Sequence, residues 1–332
     1  MRKADNKRKY IKYAIIVLSI VFLISVALLF LDMWEHNRGL FPSQDVGNDN
    51  IVYNGEEYAM RDNIETFLER GLDKYEGESV GDSYNNDQQA DFLMLFVFDK
   101  EAKTTSVVHI NRDTIADVNV LGVAGNRIGT TQKQIALAHT YGNGRDVSCR
   151  NTADAVSKLL LGVKVDHYLS LSLDSVAVMN DLVGGVEVTV LDDFTGIDET
   201  LVKGEKVTLV GEQALWYIRT RYGLEDSSNT TRMVRQQQYV NALYEKFIEH
   251  VESDDTFIVN ASLEMSDYII SDRSITQLQE LSRKFSEYEY LGIDSFEGES
   301  VVGEEFMEFY PYEDSIARIV VEKFCEPAGP EK

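Results

Sequence analysis

The sequence predicts an α/β fold: a three-layer sandwich in which a mixed central sheet has helices on both faces, preceded by one N-terminal transmembrane helix. Three observations lead to this prediction. Strand-like and helix-like segments alternate beyond residue 63, two apolar strands are joined by a very short connection, and an uncharged apolar run occupies residues 13–31. Alternating strands and helices are typical of layered α/β domains, and a short connection between two strands requires an antiparallel pair.

The apolar run at residues 13–31 follows a basic tail, residues 1–12, which has six Lys or Arg and one Asp. At about 1.5 Å per helical residue the run covers roughly 29 Å, close to the thickness of the hydrocarbon core of a bilayer. The basic flank predicts a single-pass protein whose N-terminus is cytoplasmic and whose remainder is extracellular. A cleaved signal peptide is the competing interpretation, but LLFLDMWEH offers no small-residue cleavage site.

The rest of the chain divides into a juxtamembrane lead-in at 32–62, an extracellular domain at 63–325 and a tail at 326–332. The formal net charge of −24 disfavours nucleic acid binding by a diffuse basic surface. Any phosphate site must therefore come from a local concentration of cations. Cys149 and Cys325 either form one disulfide or remain as buried thiols, and their spacing excludes a cysteine-based zinc site.

Hydrophobic periodicity predicts the first elements of the extracellular domain. FLMLFVF at 92–98 and TSVVHI at 105–110 are apolar enough to be buried strands, and TQKQIALAHTYG predicts a helix from about residue 131. NTADAVSKLLLG predicts a second helix, which Asn151 caps and Gly162 ends. Asparagine suits the start of a helix, and glycine suits the residue just after its end.

The second half of the domain continues the alternation. VDHYLSLS and VEVTVL read as strands on either side of the helix LDSVAVMNDLVGG. Four further helices are predicted from EQALWYIR, RMVRQQQYVNALYEKFIEHV, SITQLQELSRKF and DSIARIVVEKF, the second of them starting near Ser228 or Asn229. Such an order supplies helices to both faces of a mixed sheet.

The hairpin of the first two predicted strands brings three charged side chains together. If its turn is Lys100–Lys103, paired residue numbers sum to 203, so Asp91 lies opposite Arg112 and beside Asp113. Loops at the edge of a sheet commonly collect ligands, which makes this group a candidate site. A salt bridge that only fixes the loop is an equally open alternative.

A stretch whose cations are all arginines ends one predicted helix and begins the next. Its members are Arg219, Arg221, Arg232 and Arg235, with Gln236 on the same helical face as the last two. The guanidinium fork binds phosphate oxygens bidentately and keeps its charge, and the N-terminus of a helix also favours anions. The stretch predicts a pyrophosphate-binding site. Pairing of these arginines with the local acids Glu212, Glu225 and Asp226 is the alternative.

From about residue 63 to 325 the chain resembles the LytR-CpsA-Psr (LCP) phosphotransferases. The resemblance rests on QADFLMLFVFD and SVVHINRDT, then HTYGNG, LVGGVEVTV, GEQALWYIRTR and RMVRQQQ, in the family's order. It implies an enzyme of the bacterial cell membrane that moves a glycopolymer, such as a teichoic acid or capsular chain, from an undecaprenyl pyrophosphate carrier to peptidoglycan. It also implies an apolar tunnel for the polyprenyl tail between sheet and helices, and Mg²⁺ or Mn²⁺ at the pyrophosphate.

The resemblance also assigns roles to individual residues. Asp73 and Asp91 correspond to the family's metal-binding aspartates, and Asp73 rests on the resemblance alone. Arg112 corresponds to the arginine of the RDT motif, and Asp113 is expected to orient it, with direct metal contact as the alternative. The phosphate-binding set corresponds to Arg219, Arg221, Arg232, Arg235 and Gln236.

Three positions depart from the family's pattern. Gln89 stands where many members have arginine, Phe92 where many have threonine, and Asn229 where many have aspartate. Loss of arginine at 89 removes one phosphate contact. Asn229 can cap a helix and accept a hydrogen bond, but it cannot supply charge or act as a base, and Asp226 is the candidate substitute.

The expected mechanism relies on positioning and electrostatics, with a peptidoglycan hydroxyl attacking the phosphorus next to the glycopolymer. The base is Asp91 or Asp113, unless the metal lowers the pKa of the hydroxyl enough to make a base unnecessary. The alternative function is a non-catalytic surface module that binds lipid-linked or anionic wall polymer. A transcription attenuator would need a cytoplasmic DNA-binding part, for which the twelve residues predicted inside leave no room.

Overall fold

The structure is a computed structural model. It describes residues 50–72, 88–123, 125–221, 223–226, 228–304 and 306–328. The predicted cytoplasmic tail, the predicted transmembrane helix and Asp73 lie outside these residues. None of the helices in the described ranges combines the length and hydrophobicity needed to cross a membrane.

Strands and helices alternate through the middle of the described chain. The strands are β1 Ile51–Tyr53, β2 Glu56–Met60, β3 Ile64–Leu72, β4 Ala90–Asp99, β5 Thr104–His109, β6 Ile115–Leu121, β7 Arg127–Gln134, β8 His167–Ser172, β9 Val186–Thr189, β10 Lys206–Leu209, β11 Ile269–Ser271, β12 Glu289–Ser295, β13 Gly298–Val302, β14 Met307–Pro311 and β15 Cys325–Pro327. The helices are α1 Asp146–Leu159, α2 Ser175–Leu182, α3 Glu212–Arg219, α4 Asn229–Ser253, α5 Phe257–Met265, α6 Ile275–Phe285 and α7 Glu313–Phe324. Short 3-10 helices at Ile135–Thr140 and Ser266–Tyr268 precede α1 and β11.

A mixed sheet with the strand order β11-β8-β3-β4-β5-β12 forms the centre of the fold. Strands β3, β4 and β5 pair antiparallel in sequence order, whereas β8 runs parallel to β3 and β12 runs parallel to β5. Strand β11 pairs antiparallel with β8 at one edge. Because successive side chains on a strand point to opposite faces, each strand contributes to two layers.

Helices cover both faces of this sheet. On one face Leu68 of β3 packs in a buried cluster with Val156 of α1 and Ile319 of α7. On the other face Phe98 of β4 stacks on Phe285 of α6, with the ring centroids 3.6 Å apart. This arrangement confirms the predicted α/β fold with a mixed sheet between helices.

The β4–β5 hairpin has the predicted register. Met94 pairs with His109 and Leu95 with Val108, so the paired numbers sum to 203. The turn occupies Lys100–Lys103, as predicted. The register places the residues that precede β4 beside those that follow β5, which is where Asp91 and Arg112 lie.

The helix predicted from about residue 131 is wrong over its first residues. Arg127–Gln134 form β7, which pairs with β6, and helical structure is confined to the 3-10 helix Ile135–Thr140. The segment RIGTTQKQ is polar and mostly exposed, with β-branched residues that suit the strand of a surface hairpin. The apolar residues IALA are enough for one helical turn against the core.

Helix α1 begins earlier than predicted, at Asp146, and Asn151 lies inside it rather than at its cap. The Asn151 side chain is buried and donates a hydrogen bond to the Ala138 carbonyl at 2.9 Å. Amides at the start of the helix are bound instead by Asn143, whose Oδ1 accepts from the Val147 amide at 3.2 Å. The predicted end is confirmed, since Gly162 follows the helix with a φ of 90°.

The two ends of the described chain meet in a small sheet with the order β1-β2-β15. The segment expected to be a lead-in, 32–62, therefore contains β1 and β2. Cys149 and Cys325 are both buried free thiols, which is the second of the two alternatives. Burial raises the pKa of both thiols, so neither is activated as a nucleophile.

Candidate functional site

An apolar cavity of about 380 Å³ lies between one face of the central sheet and helices α2–α6. Its sheet wall includes Phe92 and Met94 of β4 and Leu169 of β8. The helices contribute further apolar residues, among them Val176, Met179, Ile218, Val240, Leu243, Phe247, Phe257 and Leu278. The cavity lies where the resemblance implied an apolar tunnel.

Gly71 keeps space on the sheet side of this cavity. A Cβ at position 71 would lie 3.0 Å from Leu173 Cδ2 and 3.2 Å from Phe92 Cβ. Contacts this short would force the cavity wall to move. Glycine at the end of β3 therefore lets the sheet and the connection to α2 approach closely.

Charged and polar side chains enter the cavity wall where three elements begin or end. Asp91 comes from the start of β4, Arg219 from the last residue of α3, and Arg232 and Gln236 from the first turns of α4. Helix α4 begins where predicted, since Ser228 is its N-cap and Ser228 Oγ accepts from the Thr231 amide at 3.2 Å. We call this polar group of Asp91, Arg219, Arg232 and Gln236 the mouth of the cavity.

Arg112 joins the mouth through the contacts that the hairpin register predicted. Its Nη1 forms an ion pair with Asp91 Oδ1, and its Nε lies 3.6 Å from Asp113 Oδ1. Its Nη2 donates a hydrogen bond to Gln89 Oε1. Gln89, which replaces the arginine of many family members, therefore helps to hold another arginine in place.

Asp113 lies among three guanidinium groups. Burial raises the pKa of its carboxyl group, while the positive charges of Arg112, Arg221 and Arg232 act in the opposite direction. Gln134 Nε2 donates to Asp113 Oδ1 at 3.1 Å. Three cations close to one buried carboxylate leave a local excess of positive charge, although the chain as a whole is strongly acidic.

Arg232 is held by Asn229, one turn earlier on α4. Arg232 Nε and Nη2 both donate to Asn229 Oδ1, at 3.0 and 2.5 Å. Asn229 Nδ2 in turn donates to Asn111 Oδ1 at 2.6 Å. Burial, together with the nearby charges of Arg112 and Arg221, lowers the pKa of Arg232 to about 9. The guanidinium is still protonated at neutral pH, and its charge is incompletely balanced.

Arg235 is placed differently from the expectation. Its side chain is completely buried, and its Nε lies 2.8 Å from Asp192 Oδ2. Its two Nη atoms donate to the carbonyls of Tyr217 and Thr220, and its guanidinium lies over the Phe194 ring. Arg235 therefore connects α4 to the end of α3 behind the cavity wall, and its position corrects its assignment to the phosphate-binding set.

Gln236, by contrast, does face the cavity. Its Nε2 donates to the Ile218 carbonyl at 3.3 Å, close to buried His109. Burial and the charge of Arg232 lower the pKa of His109 to about 3, so this histidine is neutral at physiological pH. The Phe92 ring packs on it at 5.4 Å between centroids. Phe92 thus contributes apolar surface where many family members have a hydroxyl.

Sequence reasoning missed three residues of this region. Asn111 and Gln134 hold the site together, and Glu69 lines the cavity. Asn111 directly precedes Arg112, the arginine of the RDT motif, so its position beside that motif could have identified it as a site residue. Gln134 lies in the segment that was predicted to be a helix. Glu69 belongs to β3, and because this strand contains charged residues, its sequence does not indicate a central position in the sheet.

The metal assignment rests on oxygen ligands. In the described part of the chain no group of three or more His, Cys, Asp or Glu is placed to hold a metal. Asp91 lines the mouth, whereas Asp73 lies outside the described residues. Magnesium is commonly held by one or two carboxylates, with substrate and water oxygens completing its shell. The carboxylate of Asp91 fits that kind of site.

The sequence model of the LytR_cpsA_psr family matches residues 44–313, which is most of the chain. The chain belongs to this family. Membership of the LytR_cpsA_psr family agrees with the mixed central sheet between helices. It also explains why the matched motifs occur in one order along the chain.

Several named proteins resemble the chain in sequence or fold. The polyisoprenyl-teichoic acid–peptidoglycan teichoic acid transferase TagU of Bacillus licheniformis is 27% identical over 243 residues, which is 73% of this chain and 71% of TagU. The crystal structure of B. subtilis TagV superposes with a TM-score of 0.59 at 21% identity, covering 80% of this chain and 98% of TagV. The structure of TagT bound to LIIa-WTA gives a TM-score of 0.59 at 21% identity, covering 85% of this chain and 97% of TagT.

Proposed function

We propose that this protein transfers a glycopolymer from a polyprenyl (undecaprenyl) pyrophosphate carrier to peptidoglycan and leaves a phosphodiester link. The observation that carries the proposal is the convergence of Arg112, Arg232 and Asp91 at the mouth of an apolar cavity. A lipid pyrophosphate has the matching shape, with a long apolar chain and a compact anionic head. Pockets that are mostly apolar with a few polar groups at fixed positions are typical ligand sites.

The relatives support the same class of substrate. TagU of B. licheniformis carries the name of a transferase that joins polyisoprenyl-linked teichoic acid to peptidoglycan. TagT, which shares the fold, is described in complex with LIIa-WTA. We extend a lipid-linked glycopolymer donor and a peptidoglycan acceptor to this chain on the strength of these relatives and of the residues at the mouth.

The arginines of the site would bind the pyrophosphate. Arg112, Arg221 and Arg232 surround Asp113, and Arg219 lies at the cavity wall. Guanidinium groups form paired hydrogen bonds with phosphate oxygens and retain their charge at any physiological pH. Their fixed positions would stabilise the negative charge that develops on the leaving phosphate, which is the main catalytic effect we assign to this chain.

The proposed reaction is a displacement at phosphorus. The oxygen of a peptidoglycan hydroxyl attacks the phosphorus bonded to the glycopolymer, and the bond from that phosphorus to the bridging oxygen breaks. The electron pair leaves with the lipid monophosphate. The hydroxyl proton passes to a carboxylate beside Arg112, and Asp113 is favoured over Asp91 because burial raises the pKa of its carboxyl group.

Two further parts of the proposal come from the sequence and the family. Asp91 would hold Mg²⁺ or Mn²⁺ together with Asp73, and the bound cation would neutralise pyrophosphate charge. Residues 13–31 would anchor the chain in the bacterial cell membrane as a single span. The cytoplasmic N-terminus would then leave the transferase domain outside the cell, beside its lipid donor and its wall acceptor.

A reconstituted transfer reaction tests the proposal. Full-length protein in lipid nanodiscs would receive a polyprenyl pyrophosphate-linked glycan, Mg²⁺ and peptidoglycan, and lipid monophosphate would be measured beside phosphodiester-linked product. We expect both products to form in equal amounts, and to be lost with R112A. Tight binding of the lipid donor without any turnover would contradict the proposal and support a non-catalytic polymer-binding module.

A further inference from the structure

Glu69 places a carboxyl group in the apolar part of the cavity wall. It lies on β3 in the middle of the sheet, paired with Met94 of β4 and Leu169 of β8, and all three residues line the cavity. Among the described residues, no hydrogen bond or ion pair involves the Glu69 side chain. A carboxyl group without a partner in an apolar cavity wall is unusual, because desolvation of the charged form is costly.

Glu65 lies on the same face of β3 as Glu69, but its carboxylate has charged partners. Glu65 Oε2 lies 3.5 Å from Lys284 Nζ and 3.9 Å from Lys100 Nζ, and Glu65 Oε1 lies 3.7 Å from His167 Nε2. Two cations and a histidine thus surround Glu65 outside the cavity. Glu69 has none of these partners, so its environment differs from that of Glu65 although the backbone is the same.

Burial alone raises the pKa of Glu69 to about 7. Other charged or titratable groups do face the cavity from neighbouring elements. They are Asp91 on β4, Arg219 on α3, and Arg232, Tyr239 and Tyr244 on α4. The wall residues of β8, α2, α5 and α6 are apolar or serine. None of these groups contributes to the shift, so the state of Glu69 depends on how much water reaches it.

We propose that Glu69 couples occupancy of the cavity to proton uptake, so that an apolar chain enters only with Glu69 in its neutral acid form. The inference rests on the proposed function, because it takes a polyprenyl chain as the occupant. An apolar chain displaces the water that solvates the carboxylate and offers no hydrogen bond in exchange. One proton from solvent therefore binds to Glu69 for each chain that enters above neutral pH.

The coupling predicts how affinity depends on pH. Below about pH 6 Glu69 is protonated in the empty cavity, and affinity for an apolar chain is constant. Above about pH 7 each further pH unit lowers the apparent affinity by up to about tenfold, because one proton must be taken up on binding. Glu69 is thus a specificity-determining residue that acts through its protonation state and not through a contact with the reacting phosphorus.

A neutral photoreactive probe tests the pH dependence of cavity occupancy, because the probe itself has no group that titrates. Full-length protein in phosphatidylcholine nanodiscs would be labelled with diazirine-farnesol from pH 5.5 to 9, and labelled cavity peptides would be quantified by mass spectrometry. Farnesol carries no charge, so its partition into the membrane does not depend on pH. Wild type would be compared with E69L and E69Q, and with the control E65Q, which alters the carboxylate outside the cavity.

We expect wild type and E65Q to lose at least tenfold of their cavity labelling between pH 6 and pH 9, and E69L and E69Q to stay level. Wild-type labelling that is level over this range would overturn the inference, and so would a persistent pH slope in E69L and E69Q. Either result leaves the lipid site and the proposed transfer intact. Absence of cavity labelling at every pH would overturn both this inference and the assignment of the cavity to a lipid chain.

Discussion

Asn229 Oδ1 accepts hydrogen bonds from both Nε and Nη2 of Arg232. A neutral amide therefore positions this guanidinium, at a site where the resemblance places an aspartate in many family members. Since the amide positions the guanidinium without cancelling its charge, Arg232 retains more positive charge for a phosphate. The departure at position 229 is thus compatible with an active site.

Replacement of Asn229 tests this interpretation. We expect N229A to lower the kcat of transfer by about 10–100-fold, because hydrogen bonds to a charged group contribute about 1.5–3 kcal/mol each. N229D keeps an oxygen that can accept both hydrogen bonds from Arg232, and its kcat should stay within a few-fold of wild type. Equal losses in N229A and N229D, measured as lipid monophosphate release, would show that the amide itself is needed.

Arg112 should be essential for turnover. We expect R112A to lower kcat by about 10²–10³-fold or more, since it removes a fixed donor to the developing phosphate charge. R112K keeps the positive charge but lacks the forked arrangement of N–H donors of a guanidinium, so it should recover only a small part of the lost kcat. The matched control is R318A, because Arg318 pairs with Glu322 on the surface of α7. Near-normal kcat in R112A would remove Arg112 from the mechanism.

Substitution of Arg235 should lower the stability of the protein, whereas substitution of Arg219 should weaken the binding of the lipid donor. We expect R235A to lower the free energy of unfolding by about 3–5 kcal/mol, because it leaves Asp192 as a buried charge without its partner. R219A should leave the Tm nearly unchanged and weaken donor binding, because Arg219 is exposed at the cavity wall. Thermal unfolding and the KM for the lipid donor, measured on both variants, decide between the roles. A stable R235A protein with a raised KM would return Arg235 to the phosphate-binding set.

Glu69 should make stability fall with rising pH. Its pKa is raised from 4.5 to about 7 on folding, so folding takes up a proton between these values. The contribution of Glu69 to the free energy of unfolding is most favourable below about pH 4.5. It declines as the pH rises to about 7 and is constant above that pH. The loss amounts to about 3 kcal/mol at most. In E69Q, chemical denaturation from pH 4.5 to 8 should lack this decline, and an identical decline in wild type and E69Q would assign it to other groups.

The sequence was sufficient to predict the charged group around Arg112. Two apolar strands joined by a four-residue turn have one register, and that register brought Asp91 and Asp113 to the same arginine. The start of α4 was equally predictable, because a serine N-cap leaves a local signal. Such features depend on residues that are close together along the chain or are fixed by one turn.

Other features depended on contacts between distant segments. Helical spacing grouped Arg235 with Arg232, but the spacing could not show that Asp192 and two carbonyls already bind the Arg235 guanidinium. The unpaired state of Glu69 depends on which helices cover β3. The segment before Ile135 has a polar pattern that fits either an exposed strand or the start of a helix, and pairing with β6 decides the outcome.

A crystal structure of the protein with a polyprenyl pyrophosphate tests the central claim most directly. We predict that the apolar chain occupies the cavity beside Val240 and Leu243, and that phosphate oxygens lie within hydrogen-bonding distance of Arg112 and Arg232. A pyrophosphate bound elsewhere on the surface, with the cavity closed or filled by side chains, would contradict the account.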